Sequence, residues 1–189
     1  MRVYLLALPL IGLLMGCAAP DPDRPPRVFE PRIDDRAAAR GESLLERAML
    51  VGHNSARAEV GVPPLVWSEE LAADAAHYAA ILAETRDYKH STGLRGRFPE
   101  GENLFMGSRG AYRYDEMVQL WVDEGRMYAP GPVPDISTTG RWQDVAHYTQ
   151  IIWRRTTQVG CAMASSRSDD YLVCRYSPPG NVWSKRAGD

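Results

Sequence analysis

The chain has 189 residues, of which 44% are hydrophobic and 24% are charged, as in an ordinary soluble globular protein. This length accommodates one domain with additional segments. The 22 basic and 24 acidic residues give a net charge of −2, and the basic residues form no cluster along the sequence. Because a nucleic-acid-binding surface needs such a cluster, we expect no nucleic-acid partner.

Residues 1–16 have the pattern of an export signal. Arg2 provides one positive charge, and an almost wholly apolar run follows from Val3 to Leu14. Crossing a bilayer takes about 20 apolar residues. The shorter run therefore favours a signal peptide that is removed after export over a membrane-spanning helix.

The segment Leu14-Met15-Gly16-Cys17 resembles a bacterial lipobox, in which processing exposes a cysteine that is then acylated. The alternative is ordinary secretion, in which Cys17 is lost with the signal. Buried acyl chains contribute about 0.8 kcal/mol per CH₂ group, so lipidation of Cys17 predicts stable attachment to a membrane. With Ala18 in the next position, the resemblance implies an outer-membrane lipoprotein of a Gram-negative bacterium.

Residues 17–40 are predicted to form a tether between the lipidated cysteine and a folded domain at residues 41–185. The tether contains five prolines among Asp, Arg and Ala residues. Such a composition favours an extended spacer because it cannot bury enough apolar surface to fold.

Within the domain, apolar residues at helical spacing predict a first helix over residues 42–60, which ends at Gly61. Ser68 is predicted to cap a second helix and Asp115 a third. Glu124 lies on the apolar side of the third helix, where a carboxylate needs a partner because an unpaired buried charge is costly.

The C-terminal part of the domain is predicted to contain a long loop, a short helix and a hairpin. The loop covers residues 129–141, the helix covers residues 144–153, and alternating segments at 158–163 and 171–176 form the two strands. Lipidation of Cys17 leaves Cys161 and Cys174 as a pair, and a disulfide between them would join the strands. The alternative is two buried thiols.

Four segments in order resemble the CAP superfamily, named for cysteine-rich secretory proteins, antigen 5 and pathogenesis-related proteins. They are HNSAR at 53–57, GENL at 101–104, HYTQIIW at 147–153 and YLVCRYSPPGNV at 171–182. The resemblance implies an α+β fold, built as a three-layer α–β–α sandwich around a small antiparallel sheet.

The resemblance also implies a central cleft with two histidines and two glutamates, which correspond here to His90, Glu102, Glu124 and His147. Two imidazoles with a carboxylate would form an open zinc site in which the remaining glutamate activates water. With a divalent metal such as zinc on His90 and His147, this chemistry would be that of a metal-dependent hydrolase. Alternatively, the four residues form a hydrogen-bonded network that holds the layers together.

CAP relatives also bind apolar ligands such as sterols and fatty acids, and components of cell surfaces. Tyr128, Val133, Ile136 and Trp142 would line an apolar groove at the long loop, or else they cover the core of the domain. We therefore expect a binding protein of the cell envelope, with the hydrolase as the alternative and a structural protein with a relict cleft as the third possibility.

Three further polar residues are given lesser roles. His53 lies on the first helix and is expected to pack in the interior. His77 is expected at the surface of the second helix. Arg57 is expected to form an exposed ion pair of about 0–1 kcal/mol.

Overall fold

The computed structural model describes residues 37–92 and 99–189. The predicted signal peptide, Cys17 and most of the predicted tether lie outside these residues. No helix within the two described ranges combines the length and the apolarity needed to cross a membrane.

Four helices and four strands make up the described part of the domain. The helices are α1 (Glu42–Glu59), α2 (Glu69–Thr85), α3 (Tyr114–Asp123) and α4 (Ala146–Ile151), and the strands are β1 (Val66–Trp67), β2 (Gly101–Ser108), β3 (Gln158–Ser165) and β4 (Asp169–Ser177). Short 3₁₀ turns at Glu124–Met127 and Trp142–Val145 follow α3 and precede α4.

The strands form one sheet in the order β1-β3-β4-β2. The three long strands are antiparallel, as predicted, whereas the two-residue β1 pairs with β3 in parallel and makes the sheet mixed. Cys161 and Cys174 lie opposite each other on β3 and β4, with their Cα atoms 4.1 Å apart, and form a disulfide. The predicted cysteine pairing is therefore confirmed.

Helices cover both faces of the sheet, which confirms the three-layer α–β–α sandwich. On one face α2 packs through Ala75, Ala79 and Leu82. A Cβ atom at Gly160 of β3 would lie 2.2 Å from the backbone nitrogen of Ala72, so the absence of a side chain there lets α2 approach the sheet. On the other face, α1, α3 and the segment after α3 enclose the larger core.

The predicted caps differ between α2 and α3. Ser68 caps α2, as predicted, since its hydroxyl accepts a hydrogen bond of 3.3 Å from the backbone nitrogen of Leu71. The prediction for Asp115 is wrong: α3 begins at Tyr114, and the residue at its cap is Arg113. The carboxylate of Glu116 accepts the backbone N–H of Arg113 at 2.7 Å, so a side chain inside the helix closes this end.

Arg57 corrects another prediction, because it is buried and forms no exposed ion pair. Only 1% of its surface is exposed, and its guanidinium donates to four backbone carbonyls at 2.6–3.0 Å. The acceptors belong to Pro63, Ile151, Trp153 and Thr156. A single side chain thus joins α1 to the residues at the end of α4.

The two minor histidines lie where the sequence predicts them. His53 is fully buried, with Nδ1 2.7 Å from the carbonyl oxygen of Met49 and Nε2 2.7 Å from the hydroxyl of Tyr176. His77 is exposed on α2.

The long loop covers the core and does not present its aliphatic residues to a ligand. Val133 and Ile136 are 2% and 1% exposed and belong to the larger core cluster, against which Tyr128 and Trp142 pack. The structure therefore favours the second of the two alternatives for these residues.

Candidate functional site

His90 and Glu102 form one of two histidine–glutamate pairs. Nδ1 of His90 lies 2.6 Å from Oε1 of Glu102, which also accepts the backbone N–H of Ser91 at 3.0 Å. His90 follows α2, and Glu102 is the second residue of β2. The imidazole is 44% exposed and the carboxylate only 6%, so the pair has a buried acidic side and a solvent-facing imidazole.

A buried arginine compensates the charge of Glu102. Nη1 of Arg175 lies 3.0 Å from Oε2 of Glu102 and also donates to the hydroxyl of Ser91 at 3.0 Å. Burial alone would raise the pKa of Glu102, but the hydrogen bond from His90 and the charge of Arg175 outweigh it and hold the pKa below its usual value. Glu102 is therefore ionised at neutral pH and accepts the Nδ1 proton of His90.

His147 and Glu124 form the second pair with the same arrangement. Nδ1 of His147 lies 2.6 Å from Oε1 of Glu124, while Oε2 accepts the backbone N–H groups of His147 and Tyr148 at 3.0 and 3.1 Å. The imidazole stacks on Trp121 with ring centroids 5.8 Å apart. Glu124 lies just beyond the end of α3, at the start of the 3₁₀ turn. The sequence placed it on the apolar side and indicated that it needed a partner, and His147 provides that partner.

The edge strand β2 connects the two pairs. Glu102 binds His90, and the side chain of the next residue, Asn103, donates a hydrogen bond of 3.1 Å to the carbonyl oxygen of His147. Side chains of consecutive strand residues point to opposite faces. The two pairs are therefore attached to neighbouring residues of the edge strand.

A small cavity of about 40 Å³ adjoins the second pair and is lined in part by Tyr88, Trp121, Glu124 and His147. The phenol of Tyr88 is buried, and this burial together with the charge of Glu102 raises its pKa above the usual value. Tyr88 therefore lies close enough to Glu102 for the charge of Glu102 to affect its pKa. It also lines the cavity beside His147 and Glu124.

The structure brings the four predicted cleft residues together as two pairs rather than as a set of metal ligands. Within residues 37–92 and 99–189, no group of three or more His, Cys, Asp or Glu side chains is placed to hold a metal ion. Sequence reasoning assigned no function to Asn103 and Arg175, which connect the site. Both lie inside segments that resemble the CAP superfamily, and this position was the only indication in the sequence that they belong to the site.

A second concave surface of about 550 Å³ lies between α1 and α3. Its apolar wall includes Ala48, Val51, Val118 and Val122. Val51 is 60% exposed although it lies within a helix that packs on the domain.

The comparisons with known proteins agree with this fold. Residues 50–176 match the CAP family, described as the cysteine-rich secretory protein family. The chain is 42% identical over 137 residues to pathogenesis-related protein 1C of Nicotiana tabacum, which covers 72% of this chain and 76% of that protein. It is 38% identical over 136 residues to pathogenesis-related protein PRMS of Zea mays, with coverage of 70% and 76%.

Among solved structures, NaASP2, crystallised with Zn²⁺, superposes with a TM-score of 0.62 over 82% of this chain and 88% of that one, at 23% identity. This likeness shows the same fold. The sandwich and the matched segments together define a CAP domain. The chain belongs to the CAP family and is similar in sequence to plant pathogenesis-related proteins.

Proposed function

We propose that this protein is an exported binding protein of the bacterial cell envelope, anchored by lipid on Cys17, whose two histidine–glutamate pairs hold a divalent cation. The cation would be bound by Nε2 of His90 and Nε2 of His147. The observation that carries the proposal is that Nδ1 of each imidazole lies 2.6 Å from a carboxylate oxygen, which as an acceptor favours the tautomer with the proton on Nδ1.

This orientation matters because it leaves Nε2 with the lone pair that a metal needs. Metal-binding histidines in proteins usually donate their other ring N–H to a carboxylate or carbonyl group, which fixes the tautomer and makes the ligand more basic. Both pairs have this arrangement, and both are attached to β2 through Glu102 and Asn103.

The donor set fits a weak site in which water completes the coordination. Structural zinc sites take four protein ligands and catalytic ones three, whereas the described residues offer two imidazole nitrogens. NaASP2, a protein with the same fold, has been crystallised with Zn²⁺, which supports zinc as the first cation to test.

The geometry does not support the hydrolase alternative. A metal-dependent hydrolase needs a carboxylate that accepts a proton from water. Glu102 already accepts bonds from His90 and Ser91 beside Arg175, and Glu124 accepts three hydrogen bonds from His147 and Tyr148. Both carboxylates therefore act as orienting groups.

Calorimetric titration of the full-length chain with zinc tests the cation site. The wild type is expected to bind zinc, and binding is expected to weaken on acidification because ligands must be deprotonated. A His90→Ala/His147→Ala double variant is expected to lose this binding. His77→Ala, which removes an exposed histidine on α2, serves as the matched control and is expected to bind like the wild type. Equal binding by the double variant and the wild type would refute the proposal.

A second candidate function is the binding of an apolar chain such as a fatty acid between α1 and α3. The exposure of Val51 above a groove of about 550 Å³ favours it. Val51→Asp is expected to weaken palmitate binding by roughly tenfold or more, since about 1.4 kcal/mol suffices for that change. Val66→Asp is the control, because Val66 is also exposed but lies outside the groove. Equal effects of both substitutions would place palmitate elsewhere.

A further inference from the structure

A third concave site lies between α2, the segment that follows it and β4, and it has no role in the functions proposed above. Its volume is about 330 Å³, at the lower end of the range of small-molecule sites in proteins. Asp74, Ile81, Glu100 and Arg175 are among the residues that line it.

Two carboxylates meet at this pocket. Asp74 and Glu100 both line it, and the side chain of Glu100 is only 8% exposed. Burial raises the pKa of Glu100, and the charge of Asp74 raises it further. Two adjacent carboxylates cannot both stay ionised at low cost, so the pair must either share a proton or accept a cation.

Arg175 meets this demand only in part, through a long ion pair with Glu100. Its Nε lies 3.9 Å from Oε2 of Glu100, and its Nη1 is committed to Glu102 and Ser91. Nε is buried and has no hydrogen-bond partner among the residues that the structure describes. A buried donor without a partner costs about 1–3 kcal/mol, so an oxygen atom placed there by a ligand would be stabilising.

The remaining charges leave an excess of negative charge at the pocket. Lys89 and Asp87 pair with each other at 2.6 Å, and the charge of Arg175 is shared with Glu102. Among the described residues, Glu100 therefore has only a share of the charge of Arg175, which also pairs with Glu102. Ile81 supplies an apolar wall beside Asp74 and Glu100.

We propose that this pocket binds a small organic amine: its ammonium group between Asp74 and Glu100, a neighbouring hydroxyl on Nε of Arg175, and an apolar body against Ile81. An ammonium replaces the shared proton and neutralises the acidic pair. A carboxylate ligand is disfavoured, because it would add a third negative charge to the pair.

Three probes of the same chain length test the proposal on the full-length protein: 2-amino-1-hexanol, 1-hexanol and hexanoate. Calorimetry is expected to show the amino alcohol binding at least tenfold more tightly than 1-hexanol, with hexanoate the weakest. Because burial raises the pKa of Glu100, binding of the amino alcohol in acidic buffer is expected to release protons, which shows as a heat that depends on the buffer's own ionisation. Equal binding of the amino alcohol and 1-hexanol, or tighter binding of hexanoate, would overturn the proposal without any variant.

Substitutions locate the site. Glu100→Gln and Asp74→Asn are each expected to weaken the amino alcohol by about tenfold, whereas Glu84→Gln, on the exposed side of the same helix, is expected to leave it unchanged. The His90→Ala/His147→Ala variant is also expected to bind the amine normally, so failure of the cation site and failure of this pocket are distinguishable. Unchanged affinity in both Glu100→Gln and Asp74→Asn would overturn the assignment.

Discussion

Glu124 acts on His147 in two ways at once: Oε1 lies 2.6 Å from the imidazole Nδ1, and Oε2 accepts the backbone N–H groups of His147 and Tyr148. Those two N–H groups belong to the first turn of α4, which begins at Ala146. The residue before α4 is Val145, which has no polar side chain, so the first turn is capped by a carboxylate from the end of α3. The same glutamate thus orients a candidate ligand and stabilises the helix that bears it.

Replacing this carboxylate should cost stability. Glu124→Gln keeps the shape of the side chain, but replaces one carboxylate oxygen with an NH₂ group. That group would face an N–H donor of His147 or Tyr148 and could not accept its hydrogen bond. We expect the free energy of unfolding to fall by about 1–3 kcal/mol, the usual cost of an unsatisfied buried group. Urea unfolding measures the loss, with Asp123→Asn as the control at the neighbouring, more exposed carboxylate. Equal stability of Glu124→Gln and Asp123→Asn would contradict the capping role.

Arg57 stabilises the opposite end of α4. Its guanidinium reaches carbonyls of Ile151 and Trp153 at 2.7 and 2.8 Å, and α4 ends at Ile151. Lysine carries the same charge but has a single nitrogen, so Arg57→Lys leaves several buried carbonyls without donors. We expect a loss of about 2–4 kcal/mol from these unsatisfied groups. Thermal unfolding tests this, and a variant as stable as the wild type would show that water replaces the guanidinium.

Burial of His53 predicts a loss of stability in acid. Burial is the main cause that lowers the pKa of His53 from 6.5 to about 4. Since the unfolded chain binds the proton more readily, this stability is complete above pH 6.5 and is lost as the pH falls from 6.5 towards 4. The total is about 3 kcal/mol.

The variant His53→Gln isolates this effect, because it keeps a polar side chain that does not titrate. Between pH 6.5 and 4.5, the free energy of unfolding of the variant is expected to fall less steeply than that of the wild type. The slopes should differ by up to about 1.4 kcal/mol per pH unit, which corresponds to the uptake of one proton on unfolding. His77→Gln, on the surface of α2, is the control and is expected to keep the wild-type slope. Parallel curves for His53→Gln and the wild type would contradict the prediction.

The disulfide between Cys161 and Cys174 closes a loop with a sequence separation of 13 residues. Such a loop predicts a stabilisation of about 3 kcal/mol, mainly by restricting the unfolded chain. We expect a double Cys161→Ser/Cys174→Ser variant to fold with a lower melting temperature. Thiol titration of the native wild type should find both cysteines unreactive, and rapid alkylation of either one would argue against a stable bond.

The predicted lipid anchor depends on Cys17. Mass spectrometry of protein extracted from membranes is expected to find an acylated N-terminal cysteine, and Cys17→Ser is expected to release the protein from the membrane fraction. Cys161→Ser/Cys174→Ser keeps Cys17 and should remain attached. Wild-type protein recovered in soluble form after cleavage at another position would favour ordinary secretion.

The sequence was sufficient for features that depend on neighbouring residues. Helical spacing located α1, the Ser68 cap predicted the start of α2, and alternation located β3 and β4 with their cysteines. Local rules failed for α3, because Asp115 has the side chain of a good cap while Glu116 reaches back to Arg113 and closes the helix instead.

Tertiary structure decided everything that joins distant segments. The sequence indicated that Glu124 needed a partner, and the resemblance grouped it with His147. Only the packing of α3 against α4 shows that this carboxylate also caps α4. Arg57 shows the same limit. Its charge predicted an exposed position, but the backbone carbonyls at the end of α4 need hydrogen-bond donors, and these make a buried position favourable. Partners of this kind cannot be read from periodicity, because a hydrogen bond between residues 90 or more positions apart depends on where the folded layers bring the backbone.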